Sequence, residues 1–88
     1  MTCKIGITTN SEARRVYWQN RSIGFANWEI LNIFRCKAAA KEFETAYAFR
    51  NGCEVTPDYA DAPSTGREPV PEYEWWYVYH FDYETEIP

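Results

Sequence analysis

Residues 3–15 read Cys3-Lys4-Ile5-Gly6-Ile7-Thr8-Thr9-Asn10-Ser11-Glu12-Ala13-Arg14-Arg15, and this order of residue types predicts a short strand, a polar turn and the start of a helix. Ile5, Ile7, Thr8 and Thr9 are β-branched and suit a pleated, half-buried surface. Asn10 and Ser11 offer side-chain oxygens to cap a helix, and Glu12 brings to the first turn the sign of charge that a helix N-terminus favours. Gly6 inside the strand marks a place where another backbone or a ligand comes close.

Working outward, residues 11–20 continue as a helix with Ala13, Val16 and Tyr17 expected inward and Glu12, Arg15 and Gln19 outward. Residues 27–35, Asn-Trp-Glu-Ile-Leu-Asn-Ile-Phe-Arg, are rich in strand formers between polar or small residues and predict a second strand. Residues 36–50 carry three consecutive alanines followed by Phe43, Ala46, Tyr47 and Arg50 at helical spacing, and Asn51-Gly52 supplies a left-handed C-cap. Between 54 and 73, prolines, Ser64, Thr65, Gly66 and acids predict a long irregular loop. Residues 74–83 alternate: Trp75, Tyr77, Tyr79, Phe81 and Tyr83 share one strand face, and Trp76, Val78, His80 and Asp82 share the other.

Eighty-eight residues make a single domain, 1–88, with one small core. No apolar run approaches the roughly 18 residues of a membrane span and no leader-like stretch opens the chain, so the expectation is a soluble, cytoplasmic protein without a membrane partner. Cys3, Cys36 and Cys53 lack metal-ligand spacing and are accompanied by one histidine, which argues against a structural zinc site and predicts reduced, buried thiols. Charge is divided unevenly. Residues 1–50 hold eight Lys or Arg against four Glu, whereas residues 51–88 hold Arg67 against nine acids. The basic half can face phosphates; the acidic half must point away from them, mimic them or mask the basic face.

An Ile-Gly pair on a strand, a Thr two positions after the glycine, an Asn four after it and an Arg eight after it resemble the GIY-YIG nuclease superfamily. Ile5, Gly6, Thr8, Asn10 and Arg14 fit that pattern, and Lys4 stands at the motif tyrosine. The strand that holds Gly-Ile-Tyr at the start of a family domain has no counterpart before Cys3, but Tyr77-Val78-Tyr79 is similar to it, so the resemblance implies a circular permutation. The expected fold is α+β: a small three-stranded antiparallel sheet with the 3–9 strand in its centre, flanked by 27–35 and 74–83, and two main helices.

The resemblance also implies a chemistry, namely phosphodiester hydrolysis with a divalent Mg²⁺ or Mn²⁺ on a helix glutamate, a tyrosine at or near the general base and an arginine on the phosphate. The implied catalytic set is Arg14, Tyr79 and Glu44, with Glu44 or alternatively Glu42 on the metal, and Lys4, Arg14, Arg15 and Lys41 against nucleic acid. Simpler readings stay open beside it. Arg14 and Arg15 can be a solvated helix face, Glu42 and Glu44 can pair with Lys41 or a base one turn away, and His80 is either a general base or a neutral strand residue. The second function class is a non-enzymatic domain that uses its aromatic strand on a protein partner or in a homodimer.

Overall fold

The structure, a computed structural model, describes residues 1–56 and 75–87. Its elements run β1 (Thr2–Thr8), α1 (Ser11–Gln19), β2 (Ser22–Ile23), β3 (Ala26–Phe34), α2 (Lys37–Asn51), β4 (Glu54–Val55), β5 (Trp76–Tyr83) and β6 (Thr85–Glu86). The fold is α+β, with a four-stranded mixed sheet in the order β3-β5-β1-β4 and a two-stranded clasp of β2 with β6.

The C-terminal strand pairs antiparallel with the N-terminal one from Thr2 opposite Tyr83 to Thr8 opposite Tyr77, as the long-range pairing expectation required. The neighbours in the sheet differ from the expectation. β1 is interior as expected, but its partners are β5 and β4; β3 pairs with β5 and not with β1, so β5 is interior as well. The sheet also has a fourth strand and is not purely antiparallel: Glu54 and Val55, placed by composition in an irregular loop, run parallel to Lys4 and Ile5. Residues 57–73 of that segment, and residue 74 of the expected last strand, lie outside the described residues.

Both helix ends follow their local chemistry. The Asn10 side chain accepts from the Ala13 N–H at 3.0 Å at the start of α1. Cys36 Sγ accepts from the Ala39 N–H at 3.4 Å at the start of α2, and Gly52 closes that helix at φ 68°, a conformation that costs glycine little.

Two cores lie on the two faces of the sheet, as strand alternation demands. Ile5, Ile7 and Val78 pack with Ala40 and Ala48 of α2. Trp18 of α1 packs with Tyr79, Phe81 and Tyr83, and Phe25, Trp28 and Ile30 extend that layer. The inward residue of α1 is therefore Trp18, while Ala13 and Val16 are exposed. The indole buries far more apolar area than an alanine or a valine, so it sets the rotation of a short helix on the sheet. The row of aromatics on β5 is in this way largely roofed by α1, and Trp75, just before the strand, stays 46% exposed.

Candidate functional site

Tyr79 occupies the middle of the central strand and is 1% exposed. Its hydroxyl accepts the Trp18 indole N–H at 2.9 Å and lies 3.3 Å from the Thr56 hydroxyl. Gly6 is its cross-strand partner, and a Cβ built on Gly6 would lie 2.3 Å from both Thr56 Oγ1 and the Tyr79 hydroxyl. Gly6 is thus required because a tyrosine ring end and a threonine side chain fill the place of its side chain. The close approach inferred from the sequence is internal to the protein.

Arg14 lies one helical turn before Trp18 on α1, half-buried, with Nε and Nη1 enclosed and the guanidinium 4.6 Å from the Tyr17 ring centre. Arg21 stacks on the same ring at 4.2 Å. Arg14 and Tyr79 therefore belong to one layer. Glu44 belongs to the other: it sits between Ala40 and Ala48 in the row that α2 presents to the Val78 face, is 0% exposed and has Lys41 Nζ at 3.3 Å. Glu42 is on the outer face of the same helix, beside Thr45, Ala46 and Phe49.

A magnesium or manganese ion needs several oxygen donors and keeps waters of its own. Among the described residues the surroundings of Glu44 do not supply that set, since alanines flank the carboxylate along the helix and an ammonium lies beside it. On the outer face, Glu42 shares its groove with Thr45 as the other side chain bearing oxygen.

The residues expected against nucleic acid are placed differently from one another. Lys4 is buried: its Nζ lies 2.5 Å from Glu86 Oε1 and 4.5 and 4.8 Å from the ring centres of Trp18 and Tyr83. The motif position thus carries a cation that closes the α1 layer from within. Arg15 pairs with Glu12 on α1 and reaches Gln19 at 3.5 Å. Lys41 is engaged with Glu44. Near Lys4, Tyr83 donates to Glu54 at 2.6 Å. Burial, with the neighbouring Glu54 and then Glu86, pushes its phenol from 10.0 up to about 12.

One exposed group of aromatic and basic residues was not singled out by the sequence. Arg35 lies 4.5 Å from the Trp75 ring centre, and Ile33, Trp75 and Tyr77 line a cavity of about 210 Å³. Ile33 and Thr8 are the two cross-strand partners of Tyr77, so this group stands at the end of the sheet where α1 begins, on the Tyr79 face. The pairing of Phe34 with Trp76 brings Arg35 opposite Trp75. Forty residues of sequence separate them, and alternation alone cannot reveal which strand ends meet.

The cysteines also depart from expectation. Cys3 and Cys53 form a disulfide with their Cα atoms 4.6 Å apart, and Cys36 is free and exposed at the α2 N-cap. The parallel register that sets Lys4 opposite Glu54 brings the preceding residues side by side, which their separation in sequence hides. No helix of the described residues is long and apolar enough to cross a membrane. No family model matches the chain, and neither does any curated protein or solved structure.

Proposed function

We propose that this chain is a nucleic-acid-binding domain of GIY-YIG-like fold that takes up single strands without hydrolysing them. The observation that carries the reading is the exposed end of the sheet, where Trp75 lies under Arg35 beside Tyr77 and Ile33. Aromatic faces that stack bases, next to guanidinium groups that meet phosphates, are the usual means of holding a single strand without reading its sequence. Arg14 lies toward the same end and face, and Arg35 is exposed. Binding without cleavage is favoured because the Tyr79 hydroxyl is enclosed between Trp18 and Thr56, out of reach of an attacking water.

The test is fluorescence anisotropy with labelled single-stranded DNA and RNA at low salt, with and without Mg²⁺ or Mn²⁺. Binding is expected to fall by about tenfold or more in Trp75→Ala, in line with about 1–3 kcal/mol per stacked base. It should fall as salt rises, and the strand should stay intact. Absence of binding, or binding indifferent to both Trp75→Ala and Arg35→Ala, overturns the reading; metal-dependent cleavage lost in Glu44→Ala restores the nuclease.

A protein partner or a second copy of the chain is the other reading, and one observation favours it. Phe49 is 92% exposed on the outer face of α2, beside an open groove of about 880 Å³ lined also by Ala38, Ala46 and the stem of Lys41. A sedimentation experiment in which Phe49→Glu converts a dimer to a monomer would assign that face to self-association.

A further inference from the structure

On the α2 face of the sheet, away from the Trp75 end, Cys3, His80 and Asp82 bring one sulfur, one imidazole nitrogen and one carboxylate oxygen within 4.8 Å of one another. Strand register is the cause. Cys3 is directly opposite Asp82, and Ile5 opposite His80, across β1 and β5, while Cys53 adjoins Cys3 from the β4 side. Three of the four side chains come from the neighbouring strands β1 and β5, and Cys53 lies just before β4. We propose that reduction of the Cys3–Cys53 disulfide opens a four-coordinate Zn²⁺ site made of the two thiolates, His80 and Asp82.

The donor set is of the kind zinc takes, two thiolates with an imidazole and a carboxylate. Bond lengths of about 2.0–2.3 Å to a tetrahedral zinc put the donor atoms roughly 3.5 Å apart, so the Cys3, His80 and Asp82 donors, already within 4.8 Å of one another, close on the ion by about 1 Å, while Cys53 Sγ parts from Cys3 Sγ once their bond is broken. The surroundings are prepared for this. Asp82 Oδ2 accepts from Asn27 Nδ2 at 2.8 Å, which leaves Oδ1 toward His80 Nε2 at 3.9 Å. The other ring nitrogen, Nδ1, is buried without a hydrogen bond among the described residues and has Glu29 Oε1 at 3.9 Å. A carboxylate behind a zinc-bound histidine orients the ring. Glu29 is placed to do so once Nε2 holds the metal.

The two states exclude each other. A dithiol reductant supplies two electrons and two protons, the S–S bond breaks into two thiols, and the reductant becomes its own disulfide. Zn²⁺ then takes both sulfurs as thiolates and releases their two protons to water. A small-molecule disulfide in turn accepts two electrons from the thiolates and two protons from water, becomes two thiols, returns the Cys3–Cys53 bond and releases Zn²⁺. Either closure ties β1 to β4, but the metal form also ties both to β5. Cys36 cannot join the site, because the fifteen residues of α2 separate it from Cys53 by about 20 Å.

The test is titration of the full chain, carrying Cys36→Ser, with Co²⁺ as a spectroscopic stand-in for zinc. After reduction without oxygen, one Co²⁺ per chain should bind with thiolate charge-transfer and tetrahedral ligand-field absorption, and Zn²⁺ should displace it. The oxidised protein should give no such spectrum. His80→Ala and Asp82→Asn should each weaken binding at least tenfold, and Glu29→Gln by about tenfold as an orienting group. A second readout guards against variants that fail to fold: in the otherwise unchanged reduced protein, Zn²⁺ should protect Cys3 and Cys53, and not Cys36, from alkylation read by peptide mass. No thiolate spectrum in the reduced protein, the same spectrum in the oxidised protein, or equal alkylation of all three cysteines in the presence of Zn²⁺ would each overturn the proposal.

Discussion

The indole N–H of Trp18 donates to the hydroxyl of Tyr79 at 2.9 Å, inside the layer that α1 forms over the sheet. A short helix and the central strand are joined there by a polar bond at the middle of an aromatic cluster. Both partners are buried, so each holds a group that could not be left unpaired without cost. The tyrosine that resembles a catalytic one is by this bond a part of the core.

Tyr79→Phe removes the acceptor and leaves the indole N–H buried. A loss of about 1–3 kcal/mol in denaturant unfolding is expected. Trp18→Phe is expected to lose more, since it also removes packed volume. The double variant should lose less than the sum of the two, because the pair shares one bond; strict additivity would show the bond to be worth nothing.

Gly6→Ala sets a methyl group 2.3 Å from Thr56 Oγ1 and the Tyr79 hydroxyl and 2.6 Å from Tyr79 Cζ. The tyrosine ring is held by Trp18 and Trp28 and has little room to yield. Overpacking of this kind costs about 1–3 kcal/mol. The Thr56 N–H, which donates to the Ile5 carbonyl at 2.9 Å, should also exchange faster with solvent as β4 is pushed off. Wild-type stability and exchange in this variant would contradict the packing described.

Lys4 has its ammonium against two ring faces and the Glu86 carboxylate, and Glu86 itself is half in water. Lys4→Met keeps the stem, leaves no buried charge behind and should change stability by about 1 kcal/mol or less. Lys4→Glu puts a carboxylate between the rings and near Glu86, and a loss of more than about 3 kcal/mol is expected. Comparable unfolding midpoints for the two variants would mean that the ammonium is not enclosed.

Tyr83 ionises at about 12 against an ordinary 10.0. The folded protein therefore holds this proton more tightly than the unfolded chain does. The stability linked to it is complete below pH 10 and is lost as pH rises from 10 to about 12, amounting to roughly 2–3 kcal/mol. Ultraviolet difference titration should show a late-ionising phase, and Tyr83→Phe should reduce its amplitude by one phenol. An unchanged amplitude in the variant would contradict the assignment to Tyr83.

The Cys3–Cys53 bond closes a loop with a sequence separation of 50. On the chain-entropy account, opening a loop of this length costs about 4 kcal/mol. Reduction in the presence of a metal chelator should lower the unfolding midpoint accordingly, and addition of Zn²⁺ after removal of the chelator should recover part of it. Identical midpoints for oxidised and reduced protein would show that the strands hold without either closure.

Much of the local architecture was legible in the chain because its causes are local. The β-branched run after Cys3, the Asn10 oxygen, the alanines of α2 and Gly52 act on their own few residues, and the elements form where those residues stand. The alternation of β5 was legible for the same reason: a strand turns successive side chains to opposite faces whatever lies beside it, so Tyr79 and Val78 were separated before any partner was known. Of the stripe Ala13, Val16 and Tyr17, only Tyr17 packs against the core; Ala13 and Val16 are exposed, because Trp18 fills the space over Tyr79 and Phe81.

The sequence by itself determined an α+β domain with two helices and strands near both ends of the chain; the pairing between those ends was expected only through the family resemblance. Tertiary structure alone decided that β3 joins β5 and not β1, that Glu54 and Val55 form a strand, that Lys4 is buried, that Cys3 meets Cys53, and that Arg35 meets Trp75. Each of these depends on register between strands distant in the chain. A shift of one residue exchanges the two faces of a strand, so which side chains share a core, a disulfide or a site is set by the assembled sheet and not by their spacing along the chain.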